Sequence, residues 1–468
     1  MTTNSSRFRV GIDIGGTFTD LILVSDDGAM HTKKVLSTPD DYGRGVVDGL
    51  ETALGELAIE PQSIERLVHA TTVATNTILE GKGAETGLIT TLGFRDVLEM
   101  RRLRIPEMYT LNYPKPEPLV PRRRRLEVVE RMGPRGEVRV DLDEASVTAA
   151  LTRLGGEEVE AVAISLLHAY ANPSHEQRIA EMVRETLGPD TYITCSSDIL
   201  PELREYERTS TTVINAYLGP TLRRYFESLE SHIASIGVTA PLQVMKSDGA
   251  IMTVAAAAEK PAYLVESGPA AGVIGAARVT GLGTAVDSIT LDMGGTTAKA
   301  SIVEDGQVAT TSDYEVGAGI NLSSKLITGG GYALKLPVVD LSEIGAGGGS
   351  LVTIDRGGLL HVGPESAGAT PGPVAYDMGG EVPTFTDAMI ILGYLNPDHL
   401  IGGDLKLNAP AAHEAMEAHV AVPLDKDLLD TAYGIYQVAG GTMVRAVKAV
   451  STYRGRDPRD FTLFAFGG

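Results

Sequence analysis

Asp13-Ile-Gly-Gly-Thr-Phe-Thr-Asp20 and Asp292-Met-Gly-Gly-Thr-Thr-Ala-Lys299 are two versions of one motif, 279 residues apart. Each sits at the same point of a longer pattern. Before the first, Arg9-Val-Gly-Ile-Asp-Ile-Gly15 alternates small or apolar with polar residues, as a strand does. After it, Asp20-Leu-Ile-Leu-Val24 is strand-like again, Asp27-Gly28 is a turn, and Thr32 to Leu36 is a third strand. The second copy repeats the order. Ser288-Ile-Thr-Leu-Asp292 is a strand, Gly294-Gly295-Thr296 a turn, and Lys299 to Val303 a strand. Asp305-Gly306 then turns into a short run from Gln307. The spacing is too long for a solenoid repeat, so the duplication predicts two homologous lobes.

The motif has a physical use. A glycine pair lets the backbone turn and brings main-chain N–H groups close to a phosphate. The threonine hydroxyls that follow add donors. An aspartate at the strand end suits Mg²⁺, which keeps much of its hydration shell. This makes Gly15, Gly16, Thr17 and Thr19, with Gly294, Gly295, Thr296 and Thr297, the expected phosphate contacts. Asp13 and Asp292 are the expected catalytic and metal residues. Neither copy ends in the Gly-Lys-Ser/Thr of a Walker loop, and a strand rather than a helix follows the first glycines, which excludes a Rossmann fingerprint. One such motif could be a plain hairpin turn. Two with matching flanks predict a nucleotide clamped from both sides.

Composition agrees. The formal net charge is −21, so phosphate backbones and anionic membranes are repelled, and a nucleotide needs local donors or a divalent metal. Cys195 is the only cysteine, which rules out an intramolecular disulfide and fits a reducing, cytoplasmic setting. Met1 to Ser6 carries no apolar signal region, and no apolar run reaches the roughly 18 residues a membrane helix needs.

Between the motifs the pattern is mixed α/β. Helices are predicted over Asp143–Leu154, from Pro173 to about Leu187, and over Tyr217–Ile236, with a strand over Val159–Leu167. Breaks are expected in Ile105–Arg125 and near Asp198–Glu202. Gly345 to Gly380 is rich in glycine and proline and reads as a large loop that is either a surface excursion or the lining of a site. Glu266-Ser267-Gly268 reads as a helix start, either capping alone or aimed at an anion. Lys246-Ser-Asp248-Gly249 reads first as a turn. His69, Thr72 and Asn76 lie in a polar stretch that either faces substrate or is structural, and a lone histidine reads first as structural. His168 and His175 read as structural. Asp340 with Glu343, or Asp387, could hold a second divalent metal. Arg122 to Arg125 reads as a solvated loop or subunit contact.

Several stretches together resemble a known family. The twin hairpins are similar to those of the actin, heat-shock-ATPase and sugar-kinase superfamily. More narrowly, the chain resembles the hydantoinase A / 5-oxoprolinase family, which includes ATP-binding subunits of acetone and acetophenone carboxylases. Besides the hairpins, the resemblance is carried by His69-Ala-Thr-Thr-Val-Ala-Thr-Asn76, Gly87 to Arg101, Glu266-Ser-Gly-Pro-Ala-Ala-Gly272, Ile344-Gly-Ala-Gly-Gly-Gly-Ser350, Gly363-Pro-Glu-Ser-Ala-Gly368 and Pro371-Gly-Pro373.

The resemblance implies an α/β, actin-like ATPase fold with two ribonuclease-H-like lobes and an inserted α/β region. The chain then divides at residue 200: 1–200 an N-terminal hydantoinase/oxoprolinase domain with the first hairpin, 201–468 a second domain with the other. It implies ATP and Mg²⁺ as cofactors and a cyclic amide or imide as substrate: a hydantoin, 5-oxoproline or similar lactam. The amide oxygen is phosphorylated and water attacks. The rivals are an ATP-dependent ketone carboxylase subunit, a non-catalytic actin-like scaffold and a sugar kinase, the last disfavoured by residues 69–101. A second, larger hydantoinase B-type subunit is the implied partner. In Phe464-Ala-Phe-Gly467-Gly468, the two glycines look like the family's adenosine-contacting motif. That motif runs on in the family, so a chain truncated after Gly468 is expected.

Overall fold

A computed structural model describes residues 7–15, 18–38, 42–102, 115–283, 286–318, 330–368, 370–399 and 406–467. Gly16, Thr17, Gly468 and much of the predicted break in Ile105–Arg125 lie outside them. The architecture is mixed α/β, with three main sheets.

The first sheet grows from the first motif. Strands β1 (Phe8–Ile14), β2 (Phe18–Ser25) and β3 (Met30–Leu36) form an antiparallel meander. After helix α1 (Tyr42–Leu57), β4 (Ile64–Thr71) returns parallel to β1 on its other side. Two later strands, Leu242–Met245 and Ile251–Thr253, extend the sheet beyond β4. Period-two alternation buries Val10, Ile12 and Ile14 of β1 with Leu21 and Leu23 of β2 against Val46 and Leu50 of α1.

The second motif builds the same arrangement. Ser288–Met293 pairs antiparallel with Ala298–Glu304, which pairs with Gln307–Val308. Thr462–Gly467 lies parallel to Ser288–Met293, where β4 lies in the first sheet. Ser342–Ile344 adds a further antiparallel pairing to Ala298–Ala300.

The third sheet is parallel throughout. It comprises β5 (Thr86–Thr91) and β6 (Arg125–Val128), with Ala161–Ser165 and Tyr192–Cys195. Helices Glu144–Gly155 and Ser174–Leu187 supply Val147, Leu151, Ile179 and Val183 to its core. The predicted helices are thus present, but the long one starts at Glu205 instead of Tyr217 and runs to Ser235. Residues 208–220 are buried on every side and rich in threonine and serine, so they lack the polar-versus-apolar contrast of a surface helix.

Candidate functional site

The two hairpins share their register. Asp13 lies opposite Asp20, and Gly15 N–H donates to Phe18 O at 2.9 Å. In the second copy Asp292 lies opposite Lys299, and Gly294 N–H donates to Thr297 O at 3.0 Å. Carrying each row one strand further gives Asp13–Asp20–Lys34 in the first sheet and Asp292–Lys299–Glu343 in the second. Each row holds two acids and one base, with the base displaced by one strand. In the first, Lys34 Nζ bonds Asp20 Oδ2 at 2.7 Å. In the second, Lys299 Nζ sits 2.6 Å from Glu266 Oε2 and 3.5 Å from Glu343 Oε1.

The charge of the second hairpin carboxylate reaches the first. Asp13 stays open to solvent, yet its surroundings are crowded enough for lost hydration to dominate its titration. That desolvation, with the charges of Asp20 and Asp292, pushes its pKa up to about 7, against the pull of Lys34 and Lys299. Desolvation also raises Asp292, with Lys299 opposing. Burial alone would depress the Lys299 ammonium. Glu266, Glu343 and Asp292 outweigh burial and hold it charged.

Helix Ser267–Thr280 joins the two hairpins. Glu266 precedes it with φ 65° and ψ 22°, a left-handed conformation rare outside glycine. Glu266 N–H donates to Thr75 Oγ1 at 3.0 Å. Ser267 Oγ donates to Thr71 O at 2.9 Å and accepts from Thr71 N–H at 3.1 Å. Thr72 N–H and hydroxyl both reach Ile14 O at 3.1 Å, which closes the connection onto the first hairpin. Gly268 sits where a Cβ would stand 3.0 Å from Asp13 Oδ1, so only glycine lets the helix start approach that carboxylate without a shift.

The glycine-rich stretch divides: Ser350–Ile354 and Leu360–Ser366 pair as a hairpin with an exposed turn at 355–359, whereas residues 347–349 pack under the second motif. Gly348 N–H donates to Gly294 O at 3.0 Å and Gly349 N–H to Gly295 O at 2.7 Å. A Cβ on Gly347 would stand 2.6 Å from backbone atoms of Gly295 and Thr296. Thr386 locks the loop from behind, its N–H and Oγ1 donating to Gly348 O at 2.8 and 2.9 Å. Residues 347–349 therefore form a second layer under the second hairpin.

Other residues fall elsewhere. Thr296 is exposed and Thr297 half-buried at the second turn. Thr19 faces the opposite way: it is buried, and its hydroxyl pairs at 3.0 Å with that of Ser37, which donates to Gly15 O. It braces the turn from behind. Gly467 ends the described chain beside Met293. His69 is fully buried, with Nε2 2.7 Å from the Tyr225 hydroxyl, and does not face a cleft. Thr72 and Asn76 are half-buried, and Asn76 Nδ2 donates to Thr72 Oγ1 at 3.4 Å. His168 Nδ1 lies 3.3 Å from the Tyr170 hydroxyl and His175 Nδ1 2.9 Å from Glu130 Oε2, in keeping with structural roles. Lys246–Asp248–Gly249 is a turn.

The second-metal candidates are already committed. Asp340 pairs with Arg454, Glu343 with Lys299, and buried Asp387 caps its own helix and accepts from Ala375 N–H at 2.8 Å. No group of three or more His, Cys, Asp or Glu side chains that could hold a metal occurs among the described residues. Of Arg122 to Arg125, the first two are exposed, as a solvated stretch should be, and the last two are not. The four pair with Asp96, Glu157, Glu85 and Glu99, and Arg124 and Arg125 are buried. No helix among the described residues is long and apolar enough to cross a membrane.

Comparison with known proteins places this geometry. The family model described as hydantoinase/oxoprolinase matches residues 208–468, and its N-terminal-region counterpart matches 9–187. The chain is 37% identical to the caprolactamase subunit alpha of Pseudomonas jessenii, over 99% of this chain and 66% of that protein. The crystal structure of ATP-dependent caprolactamase from the same organism superposes with a TM-score of 0.79 at 37% identity, over 98% of this chain and 65% of the other. A nucleotide-free acetone carboxylase gives a TM-score of 0.87 at 28% identity, over 99% and 65%. The chain thus spans about 65% of the length of either solved relative. With both halves matched and the duplicated hairpins in place, the chain belongs to the hydantoinase/oxoprolinase family.

Proposed function

We propose that the chain is the nucleotide-binding component of an ATP-dependent enzyme that opens a cyclic amide, built as an actin-like pair of ribonuclease-H-like lobes. The observation that carries the reading is the pair of hairpins in one register, with the charge of Asp292 reaching Asp13 beside a helix N-terminus. In this reading Gly15, Gly16 and Thr17 grip the nucleotide phosphates from one lobe, and Gly294, Gly295, Thr296 and Thr297 from the other. Gly467 and Gly468 approach the adenosine.

Asp13 and Asp292 suit Mg²⁺. Both are carboxylates whose charged form is disfavoured by lost hydration, a penalty that a bound cation offsets, and Mg²⁺ characteristically takes one or two carboxylates plus phosphates and water. Bound there, the ion would screen charge on the transferring phosphoryl group. The protein's own part is to hold the phosphates with backbone donors and to position the lobes. The γ-phosphoryl group passes to the amide oxygen and ADP leaves; one water adds to the amide carbon, the ring C–N bond breaks to give an amine and an acyl phosphate, and a second water splits the acyl phosphate into carboxylate and inorganic phosphate.

The preference for a lactam rests on the higher identity to caprolactamase, 37% against 28% for acetone carboxylase. A ketone carboxylase is the second reading, favoured by the higher TM-score of 0.87. Because caprolactamase is represented by a subunit alpha, we propose a larger partner subunit here too. The test is phosphate release from ATP by the assembled protein with caprolactam, 5-oxoproline or hydantoin. Stimulation by a lactam supports the reading. Stimulation only by a ketone with bicarbonate replaces it with the carboxylase.

A further inference from the structure

The duplicated hairpins differ where the duplication puts them in register. The first row reads Asp13, Asp20, Lys34, and the base stands two strands from the hairpin carboxylate. In the second row Lys299 occupies the strand directly beside Asp292. Opposed residues on neighbouring antiparallel strands have Cβ atoms about 5 Å apart, well within the reach of a lysine ammonium. Lys299 nevertheless makes its ion pairs with other carboxylates and acts on Asp292 through charge alone. Its Nζ lies 2.6 Å from Glu266 Oε2, with Glu343 Oε1 at 3.5 Å on the far strand.

Glu266 is built to hold that position. It is 1% exposed and adopts a left-handed backbone that L-residues other than glycine rarely take. Its N–H is fixed by Thr75, and the next residue is fixed from both sides by Thr71. These contacts fix the backbone from which the carboxylate reaches Lys299.

We propose that Glu266 is a positioning residue that keeps Lys299 off Asp292, leaving Asp292 open to the divalent cation that accompanies the nucleotide. This rests on the nucleotide-site reading above. An ammonium on Asp292 would compete with a divalent cation for the same carboxylate oxygens. With the Glu266 charge removed, Lys299 is left with Glu343 at the longer contact and shifts toward Asp292.

The test uses Mn²⁺ as the probe, its binding to the protein in the presence of ADP followed by electron paramagnetic resonance. Glu266→Gln should weaken Mn²⁺ binding about tenfold, and Glu266→Gln combined with Lys299→Met should recover it to within about threefold. A merely structural Glu266 would leave the double variant no better than the single one, and that result overturns the proposal. So does a Glu266→Gln protein that binds Mn²⁺–ADP like the parent. Should Glu266→Gln fail to fold, Glu343→Gln cuts the longer contact and should weaken Mn²⁺ in the same direction by a smaller factor. Unchanged binding there overturns the proposal as well. A parent protein that binds no Mn²⁺–ADP overturns the nucleotide reading and the proposal with it, whereas parental binding with unaltered variants overturns the proposal alone.

Discussion

Gly347→Ala tests whether the glycine-rich loop supports the second hairpin. The added Cβ would stand 2.6 Å from the carbonyl carbon and oxygen of Gly295 and from Thr296 C. Carbon atoms at optimal contact stand about 3.5–4.0 Å apart, so loop and hairpin must part by the better part of an ångström. The obstacle is backbone on both sides, and no side chain can rotate away. Two hydrogen bonds span the gap, Gly348 N–H to Gly294 O at 3.0 Å and Gly349 N–H to Gly295 O at 2.7 Å. Parting by that distance breaks or badly bends both, at about 1 kcal/mol each. A loss of about 2 kcal/mol at the hairpin corresponds to roughly thirtyfold weaker nucleotide binding. The assay is isothermal titration of ADP with Mg²⁺, alongside thermal unfolding. Gly55→Ala is the control, because Gly55 lies exposed in α1 with nothing within 4 Å of an added Cβ. It should leave ADP binding unchanged and slightly raise the melting temperature, since alanine stabilises a helix by up to about 1 kcal/mol over glycine. Unchanged ADP affinity in Gly347→Ala, with folding intact, would refute the claim that this loop supports the site.

Three further outcomes follow from the same contacts. Asp13→Ala should abolish nucleotide-dependent phosphate release while the circular dichroism spectrum stays that of the parent, because the side chain is open to solvent and the strand pairing is made by backbone; near-parental turnover would remove Asp13 from the site. Asp387→Ala should destabilise the fold by about 2–3 kcal/mol in urea unfolding, because it strips a buried capping carboxylate from several N–H donors; unaltered stability with lost metal binding would revive its metal role. His69 is buried and its pKa is lowered to about 4 by lost hydration, so the unfolded chain, near 6.5, binds a proton more readily. Its contribution is complete above pH 6.5 and lost as pH falls toward 4. The stability difference between parent and His69→Gln should therefore shrink over that interval in pH-dependent urea unfolding; a constant difference would show that His69 is not buried neutral.

The sequence revealed some of this and hid the rest for physical reasons. The hairpins were legible because period-two alternation and a glycine pair are local signals, and each copy supported the other. Glu266 was visible only as the edge of a helix. Its left-handed backbone and its hold on Lys299 depend on residues 71, 75 and 343, which no local pattern links to it. The joining of Leu242–Met245 to β4 is likewise a long-range parallel pairing with no local signature. Thr19 shows the limit of motif reading. It lies within the motif, but side chains alternate along a strand, so the residue after Phe18 faces the interior. Lys299 shows the converse. Read alone, a lysine beside a phosphate loop suggests a direct phosphate contact. Placed against its counterpart Asp20, it inverts the charge at the middle of the row, the third place inverts with it from Lys34 to Glu343, and two carboxylates hold it. The two hairpin sheets share one arrangement, so what distinguishes them lies in side chains where the copies diverge, and the row through Asp292 is where that divergence inverts charge.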